Sequence, residues 1–468
     1  MPVIPTVLWT DALIFVLIGG LILVAVYVRS QTYLVAMWSR VLQNRPGMAA
    51  LTVLLVFVGV GFLDSLHYRP RTAPNEIWSA LDTIFVRLKL NTEKTYSAPF
   101  ATHLYTTQMT ESAEGAQMQA YPRLKYGGAH LVDPADEFRD VVVRAGVAVL
   151  VALVGWLVLS AVLVARIARK SRVPIREMVS RIASGRTEIA WNAILITGGA
   201  IALIAVPILV LSSSYHVFGT DKVGNDVLFQ TLKSIRTGLV IGTLTTLTML
   251  PFAVTLGIVA GYVGGFVDDL IQYLYATLNS IPGVLLIAAA VLMMRVIIDG
   301  HPQWFMTTAE RADVRLLALC LILGVTSWTG LCRLLRAEVL KLRELEYVQA
   351  ARAFGVSNVR IMMRHILPNV MHIVLISLVM DFSGLVLAEA VLSYVGIGVD
   401  PSTTSFGTMI NTARLELARE PVVWWSLTAA FVFMFALVLA ANLFSDAVRD
   451  ALDPHTKSRG ITLARVGP

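Results

Sequence analysis

The chain reads as an all-α polytopic membrane protein, and three observations carry that reading. It is 56% hydrophobic and only 15% charged, where a soluble domain carries about a quarter charged residues. Several uninterrupted apolar runs approach the roughly twenty residues needed to cross a bilayer as a helix. The basic residues that give the formal charge of +7 cluster in short loops. The positive-inside rule therefore explains them better than a nucleic-acid surface does, and no nucleic-acid partner is expected.

The first apolar run covers about 12–29. No basic region precedes it and Asp11 stands at its start, so it reads as a retained span rather than a secretory signal. A short loop with Arg29, Arg40 and Arg45 leads to a second run near 48–64. Residues 66–140 are polar, mixed in charge and punctuated by Pro70, Pro74, Pro99, Pro122 and Pro134, which reads as an extracytoplasmic insertion. It shows no repeat or catalytic motif.

A third run covers about 141–165, and the loop at 166–192 after it holds Arg166, Arg169, Lys170, Arg172, Arg176, Arg181 and Arg186 against Glu177 and Glu188. That is the strongest cytoplasmic signal in the chain. Its stretch from Arg172 to Arg186 faintly resembles the start of a HAMP signalling helix, but is too short for a two-helix unit. Further runs lie near 193–213, 236–262, 270–298, 315–336, 370–395 and 422–444, about nine in all. Counting from the basic loop places the N-terminus outside. The C-terminus falls in the cytoplasm, with a tail at 456–468. Residues 263–269 fall inside yet carry Asp268 and Asp269; acidic residues contribute little to topology. Pro251 and the stretch Asn279-Ser280-Ile281-Pro282-Gly283 interrupt spans, as membrane helices tolerate where neighbours satisfy the freed backbone. Cys320 and Cys332 fall inside one apolar run and read as small hydrophobes.

One segment between spans has its own grammar. Residues 346–369 read EYVQAARAFGVSNVRIMMRHILPN, with Arg352, Arg360 and Arg364 against Glu346. Gln349-Ala350-Ala351 continues a helical pattern, and Gly355 is suited to end a helix in the left-handed conformation. Ser357 can cap a second helix, and Pro368 ends the unit before the next run. The expectation is a helix–turn–helix beneath the membrane, with small alanines open to another protein.

Catalytic signatures are missing. No Gly is followed by Lys, so the phosphate loop GxxxxGK[ST] is absent. Neither HExxH nor GxSxG occurs. No enzyme activity, cofactor or metal is expected in this chain.

The segment resembles the EAA loop of ABC importer permeases: Glu-Ala-Ala, three residues, Gly, nine residues, then Ile-x-Leu-Pro. Gln349 replaces the Glu and His365 stands at the Ile position, while Ala350, Ala351, Gly355, Leu367 and Pro368 match. The flanking Glu346-Tyr347-Val348 and Arg364 to Asn369 are similar to the dipeptide/oligopeptide/nickel branch. Three further stretches resemble that branch in order and spacing. The first runs from Phe218 to Leu228 with Gly219, Thr220, Asp221, Gly224 and Asp226, Asn225 replacing the usual Arg. The others are Glu389 to Val399 and Asp446 to Pro454.

The resemblance implies a six-span ABC importer permease core at 193–455, with its cytoplasmic coupling loop at 341–369. About three extra N-terminal spans within 1–190 would precede it as an accessory region. It further implies a second homologous permease, two cytoplasmic ATPases that bind ATP and Mg, and an extracytoplasmic solute-binding protein, all at the inner membrane. Short peptides are the implied substrate, with nickel or another small solute as the alternative. Tyr347, Ala350, Ala351 and Phe354 would form the ATPase-docking face. Asp381 and Glu389, carboxylates within a span, are candidates for the translocation path. They would be ion-coupling groups in a rival reading as a self-sufficient secondary transporter. A sensor-like receptor built on 1–190 is a third reading.

Overall fold

The computed structural model describes residues 4–30, 32–70, 76–111, 117–305 and 307–452. The tail at 456–468, Pro74, and the Asp453-Pro454 end of the last family stretch lie outside these residues. The helices in chain order are α1 (Trp9–Ser30), α2 (Thr32–Gln43), α3 (Arg45–Ser65), α4 (Ala80–Ile84), α5 (Val86–Leu90) and α6 (Glu137–Ser171). Next come α7 (Ile175–Ser184), α8 (Trp191–Leu211), α9 (Val227–Val263), α10 (Gly265–Ser280), α11 (Gly283–Asp299) and α12 (Thr308–Ser327). The series ends with α13 (Thr329–Leu342), α14 (Glu346–Ala353), α15 (Asn358–Ile361), α16 (Leu367–Tyr394), α17 (Phe406–Glu416) and α18 (Trp425–Leu452). Among the described residues, seven helices are long and apolar enough to cross a membrane, or eight if α10 and α11 are one bent span. The runs expected near 48–64 and 141–165 are α3 and α6. The run near 12–29 is α1, which contributes only Trp9–Gly20 as a shorter apolar helix.

The chain divides into two compact units. One comprises Met1–Val7, Trp38–Thr237 and Thr403–Ala440. In it α8 packs between α3 and α6. Trp156 of α6 lies over Gly198 and Gly199, and its indole N–H donates to the Leu195 carbonyl at 3.1 Å. Two small sheets dress the insertion. Ile4–Pro5, His67–Arg69 and Trp78–Ser79 (β1–β3) pair antiparallel in that order, and Gln108–Glu111 with Gln117–Ala120 (β4, β5) form a hairpin. Lys233 on α9 is held by Asp64 and Asp82 at 2.8 Å each, which joins α3, α4 and α9.

The other unit comprises Leu8–Met37, Gly238–Ser402 and Ala441–Pro468. Its α1 reaches α12 through Thr10, whose backbone N–H donates to Asp313 at 3.2 Å and whose hydroxyl donates to the same carboxylate. Two cores fill it. One runs through Val240, Ile241, Leu244, Leu316, Leu319 and Cys320, and the other through Met249, Ala253, Cys332, Leu335, Val339 and Val374. Close approach of α9 and α13 depends on Gly257 and Gly261. A Cβ at Gly257 would sit 2.9 Å from the Cys332 carbonyl oxygen, and one at Gly261 would sit 2.7 Å from the Val339 Cβ. This is the small-xxx-small spacing by which membrane helices bring backbones together. The interruption expected at residues 279–283 is real and sharp: α10 and α11 meet at 86° across Ile281-Pro282. Asp268 carries its charge in a bidentate pair with Arg336 of α13, at 2.6 Å on both arms.

Candidate functional site

The 341–369 segment is built on the second core. Arg343 closes α13 and donates to the Gly261 carbonyl at 3.3 Å. After the extended Leu345, α14 begins with Glu346 in its first turn, where an acid complements the helix dipole. The helix ends as a Schellman motif. Val356 N–H donates to the Ala351 carbonyl at 3.1 Å, Gly355 N–H to the Arg352 carbonyl at 3.0 Å, and Gly355 stands at φ +73°. Three residues point outward on one face, Tyr347 and Ala350 of α14 and Phe354 just past its end, the last 87% exposed. Val348 is buried, and Ala351 leans against the same core. Ala351 lies one turn from Val348 and is half-buried on the inner side of the helix, away from the other three.

Beyond Gly355 the structure departs from expectation. Ser357 occupies the N-cap position in extended backbone but its side chain accepts no capping bond. The short α15 passes into a π turn over Met362–Ile366 and then directly into α16, with Pro368 in the first turn. Pro368 does not end the unit: α15, the π turn and α16 run on as one continuous helix, and the proline follows directly on the widened turn. The bend is at Gly355. The π turn stacks Ile366 over Ile361 at i+5, and both are fully buried. It leaves His365 beside Tyr347, ring centroids 6.1 Å apart. Asn369 donates its amide to the Tyr347 hydroxyl at 3.0 Å and to the His365 carbonyl at 2.6 Å. Tyr262 of α9 donates to the Asn358 side chain at 3.2 Å. Both arms of the segment are therefore tied to the spans that carry them. Gln349 turns back and donates to the Glu344 carbonyl at 3.1 Å, a bond that the family's Glu could not donate. A cleft of about 350 Å³ opens beside it, lined by Tyr262, Val263, Arg343, Val348 and Arg352.

The other sequence-singled residues lie elsewhere. Glu389 is buried on α16 and accepts from Ser393 at 2.6 Å. Asp381 is half-buried two turns earlier, with no hydrogen bond or ion pair among the described residues. The two are about 12 Å apart along the helix. Arg295 donates to the Gly396 and Gly398 carbonyls at 3.2 and 2.8 Å, closing the turn after α16.

The Phe218–Leu228 stretch forms a tight turn in the first unit. Gly219 and Gly224 have φ +68° and +83°, and a Cβ at Gly224 would meet the Glu93 carbonyl oxygen at 1.9 Å. Asp221 accepts from Val223 N–H, Asn225 N–H and the Gln230 side chain. Thr220 is buried, donates to the Thr95 carbonyl at 2.9 Å and accepts from Ser97 N–H at 2.6 Å. Asp226 is buried against His216 Nδ1 at 2.7 Å, and His216 Nε2 lies 3.5 Å from Glu93 Oε1. Burial alone would lower the imidazole pKa, but the two carboxylates outweigh it and raise it to about 9. Burial would likewise raise Glu93, yet His216 and the Lys125, Tyr126 and Gly127 amides bring it to about 2. Neither His216 nor Glu93 stood out in the sequence, since no local pattern links positions so far apart.

A bundle of apolar spans that presents a braced, outward-facing helix pair is the architecture of a membrane-embedded transport subunit. The relatives make this particular. The family described as "Binding-protein-dependent transport system inner membrane component" matches residues 253–458. The oligopeptide transport system permease protein OppC of Mycobacterium tuberculosis is 32% identical over 248 residues, 53% of this chain and 79% of that protein. The dipeptide permease protein DppC of Alkalihalophilus pseudofirmus is 30% identical over 300 residues, 61% of this chain and 91% of that one. The glutathione permease protein GsiD of Pectobacterium atrosepticum is 32% identical over 248 residues, 53% and 75% of the two chains. The chain belongs to this family and is an ABC importer permease. It is a multi-pass inner-membrane transport subunit rather than an ATPase.

Proposed function

We propose that this permease forms half of a translocation path for short peptides, with a second homologous permease forming the other half. The three relatives described above are named for oligopeptide, dipeptide and glutathione transport, and all three are peptides. Two cytoplasmic ATPases, holding ATP and Mg, dock on α14, and an extracytoplasmic binding protein delivers substrate to the opposite side. The carrying observation is that Tyr347, Ala350 and Phe354 project from a helix whose inner side, closing turn and following span are all fixed to the core. Such a helix transmits displacement rather than absorbing it.

Topology supports the same reading. Counting the bent α10–α11 pair as one crossing gives four crossings between the basic 166–192 loop and α14, so both basic segments share the cytoplasmic side. Pairing of β1 with β2 beside the 66–140 insertion supports an N-terminus outside, and two further crossings, α16 and α18, return the C-terminus to the inside. Asp381 and Glu389 are too far apart to share an ion, which weighs against the secondary-transporter reading.

The test is purification of the assembled transporter carrying Phe354→Asp. The ATPases should no longer co-purify and peptide-stimulated ATP hydrolysis should disappear, with the permease still inserted. Uptake by the lone chain, driven by an ion gradient without ATP, would overturn the proposal.

A further inference from the structure

We propose that α7 and the basic turns on either side of it form a binding surface for anionic phospholipid headgroups. Ile175, Met178, Val179 and Ile182 make one continuous apolar face on α7, by helical spacing. Half of that face is used inside the protein. Met178 and Ile182 are buried against Val164 and Ala168 of α6, with Trp191 and Leu195 of α8 packed on the same cluster. The other half is not, for Ile175 and Val179, one turn apart, are 56% and 51% exposed.

The depth of α7 follows from its neighbours. The apolar stretch of α6 from Ala145 to Val164 is about 30 Å long, which matches the hydrocarbon thickness of a bilayer. Val164 and Ala168 therefore mark the membrane boundary, and Trp191 at the start of α8 is an interfacial residue by type. A helix packed on these residues lies in the headgroup layer. Its exposed apolar pair continues the lipid-facing surface of α6, where Val158, Leu159 and Val162 are also exposed.

The charge at that depth is strongly basic. Arg166, Arg169, Lys170, Arg172, Arg176 and Arg186 are all exposed, and none has an ion-pair partner among the described residues. Arg181 is paired with Glu177 at 2.5 Å. Arg172 sits at φ +53° and turns the chain between α6 and α7. Arg45 of α3 donates to the Ser184 carbonyl at 3.4 Å and holds the far end of α7 in place. An in-plane helix with an apolar edge and a ring of cations fits an anionic bilayer surface. An acidic protein partner would account for the cations but not for the exposed apolar pair Ile175 and Val179 at the membrane boundary.

The test uses the full chain in nanodiscs of mixed phosphatidylglycerol and phosphatidylcholine, with lipid retained after extraction measured by native mass spectrometry. The wild type should retain phosphatidylglycerol preferentially, and added salt should weaken the preference. Neutralising Arg169, Lys170, Arg172 and Arg176 to Gln should reduce the preference at least about tenfold, since each basic residue near an anionic surface is worth about fivefold in affinity. Replacing the three arginines with Lys should leave it intact, which separates charge from folding. Ile175→Ser with Val179→Ser should weaken retention of both lipids. Equal retention of the two lipids by the wild type, or an unchanged preference in the Gln variant, would overturn the proposal. So would protection of these arginines from chemical modification by a soluble protein partner but not by phosphatidylglycerol vesicles.

Discussion

At Gly355 no atom lies within 4 Å of where a Cβ would point, so a side chain there meets backbone strain rather than a collision. The left-handed conformation costs an ordinary residue about 1–2 kcal/mol, and a β-branched one more. Gly355→Val should leave membrane insertion normal and lower ATP-driven uptake at least about tenfold, because the strain relaxes by tilting α14 away from its core. Gly355→Asn should retain most uptake, since Asn tolerates this region. Equal uptake by both variants would show that the turn geometry is immaterial to coupling. His216 offers a pH signature at the same scale. Its ordinary pKa of 6.5 is raised to about 9 in the fold. Its contribution to stability is therefore complete below 6.5 and lost as pH rises through about 9. Glu93 works at the other end, contributing fully above its ordinary 4.5 and less as pH falls toward 2. The melting temperature should fall between about pH 6.5 and 9. His216→Gln should lower stability at pH 7 by about 3–5 kcal/mol, for a buried charge left unpaired, and flatten that decline.

At the scale of elements, contact between α9 and α13 sets where the coupling segment hangs. A side chain at Gly261 would press on the Val339 Cβ and the Arg336 carbonyl, neither of which is a flexible tip. Gly261→Leu should destabilise by about 1–3 kcal/mol as the helices separate, and should weaken the Arg336–Asp268 pair beside it. Gly330→Ala, in the same α13 but with open space around it, should be neutral or slightly stabilising, and thermal melts of the two compare them directly. The elements also show what the sequence could disclose. The helix stop at Gly355 was legible because its signal is local, and so was the interruption at Ile281-Pro282. The 86° of that bend was not, since it depends on what each half packs against. The place of Pro368 within a continuous helix was not legible, because a proline that ends a helix and one accommodated beside a π turn look alike in sequence. The π turn that buries both Ile361 and Ile366 has no periodic signature, and it decides which way His365 faces. Ala351 matched the docking motif by spacing but faces inward, because Val348 and the α9–α13 core lie on its side of α14.

At the scale of the molecule, the insertion at 66–140 has structural consequences that its mixed, proline-punctuated composition did not announce. The family match covers residues 253–458, yet the Gly219–Asp226 turn finds its partners before position 130. Glu93 N–H donates to the Gly224 carbonyl at 2.9 Å, Thr220 N–H to the Ser97 carbonyl at 3.1 Å, and Phe100 N–H to the His216 carbonyl at 3.0 Å. Trp425 closes the same turn by donating its indole N–H to the Thr220 carbonyl at 3.0 Å. Removing residues 66–140 would take the Glu93 charge away from His216 and leave several buried backbone groups without the partners they now have. Each buried group left without a partner costs about 1–3 kcal/mol. The excised chain should therefore melt well below the wild type, and less of it should be recovered in folded form. Glu93→Gln should show a smaller loss in the same direction, because the main-chain bond to Gly224 stays while the charge opposite His216 and one of the two oxygens that accept the Lys125, Tyr126 and Gly127 N–H groups are lost. If the excised chain melted like the wild type and supported full peptide uptake, the turn would stand without the insertion. The buried His216–Asp226–Glu93 cluster would then be a consequence of the insertion's presence rather than a support for the permease.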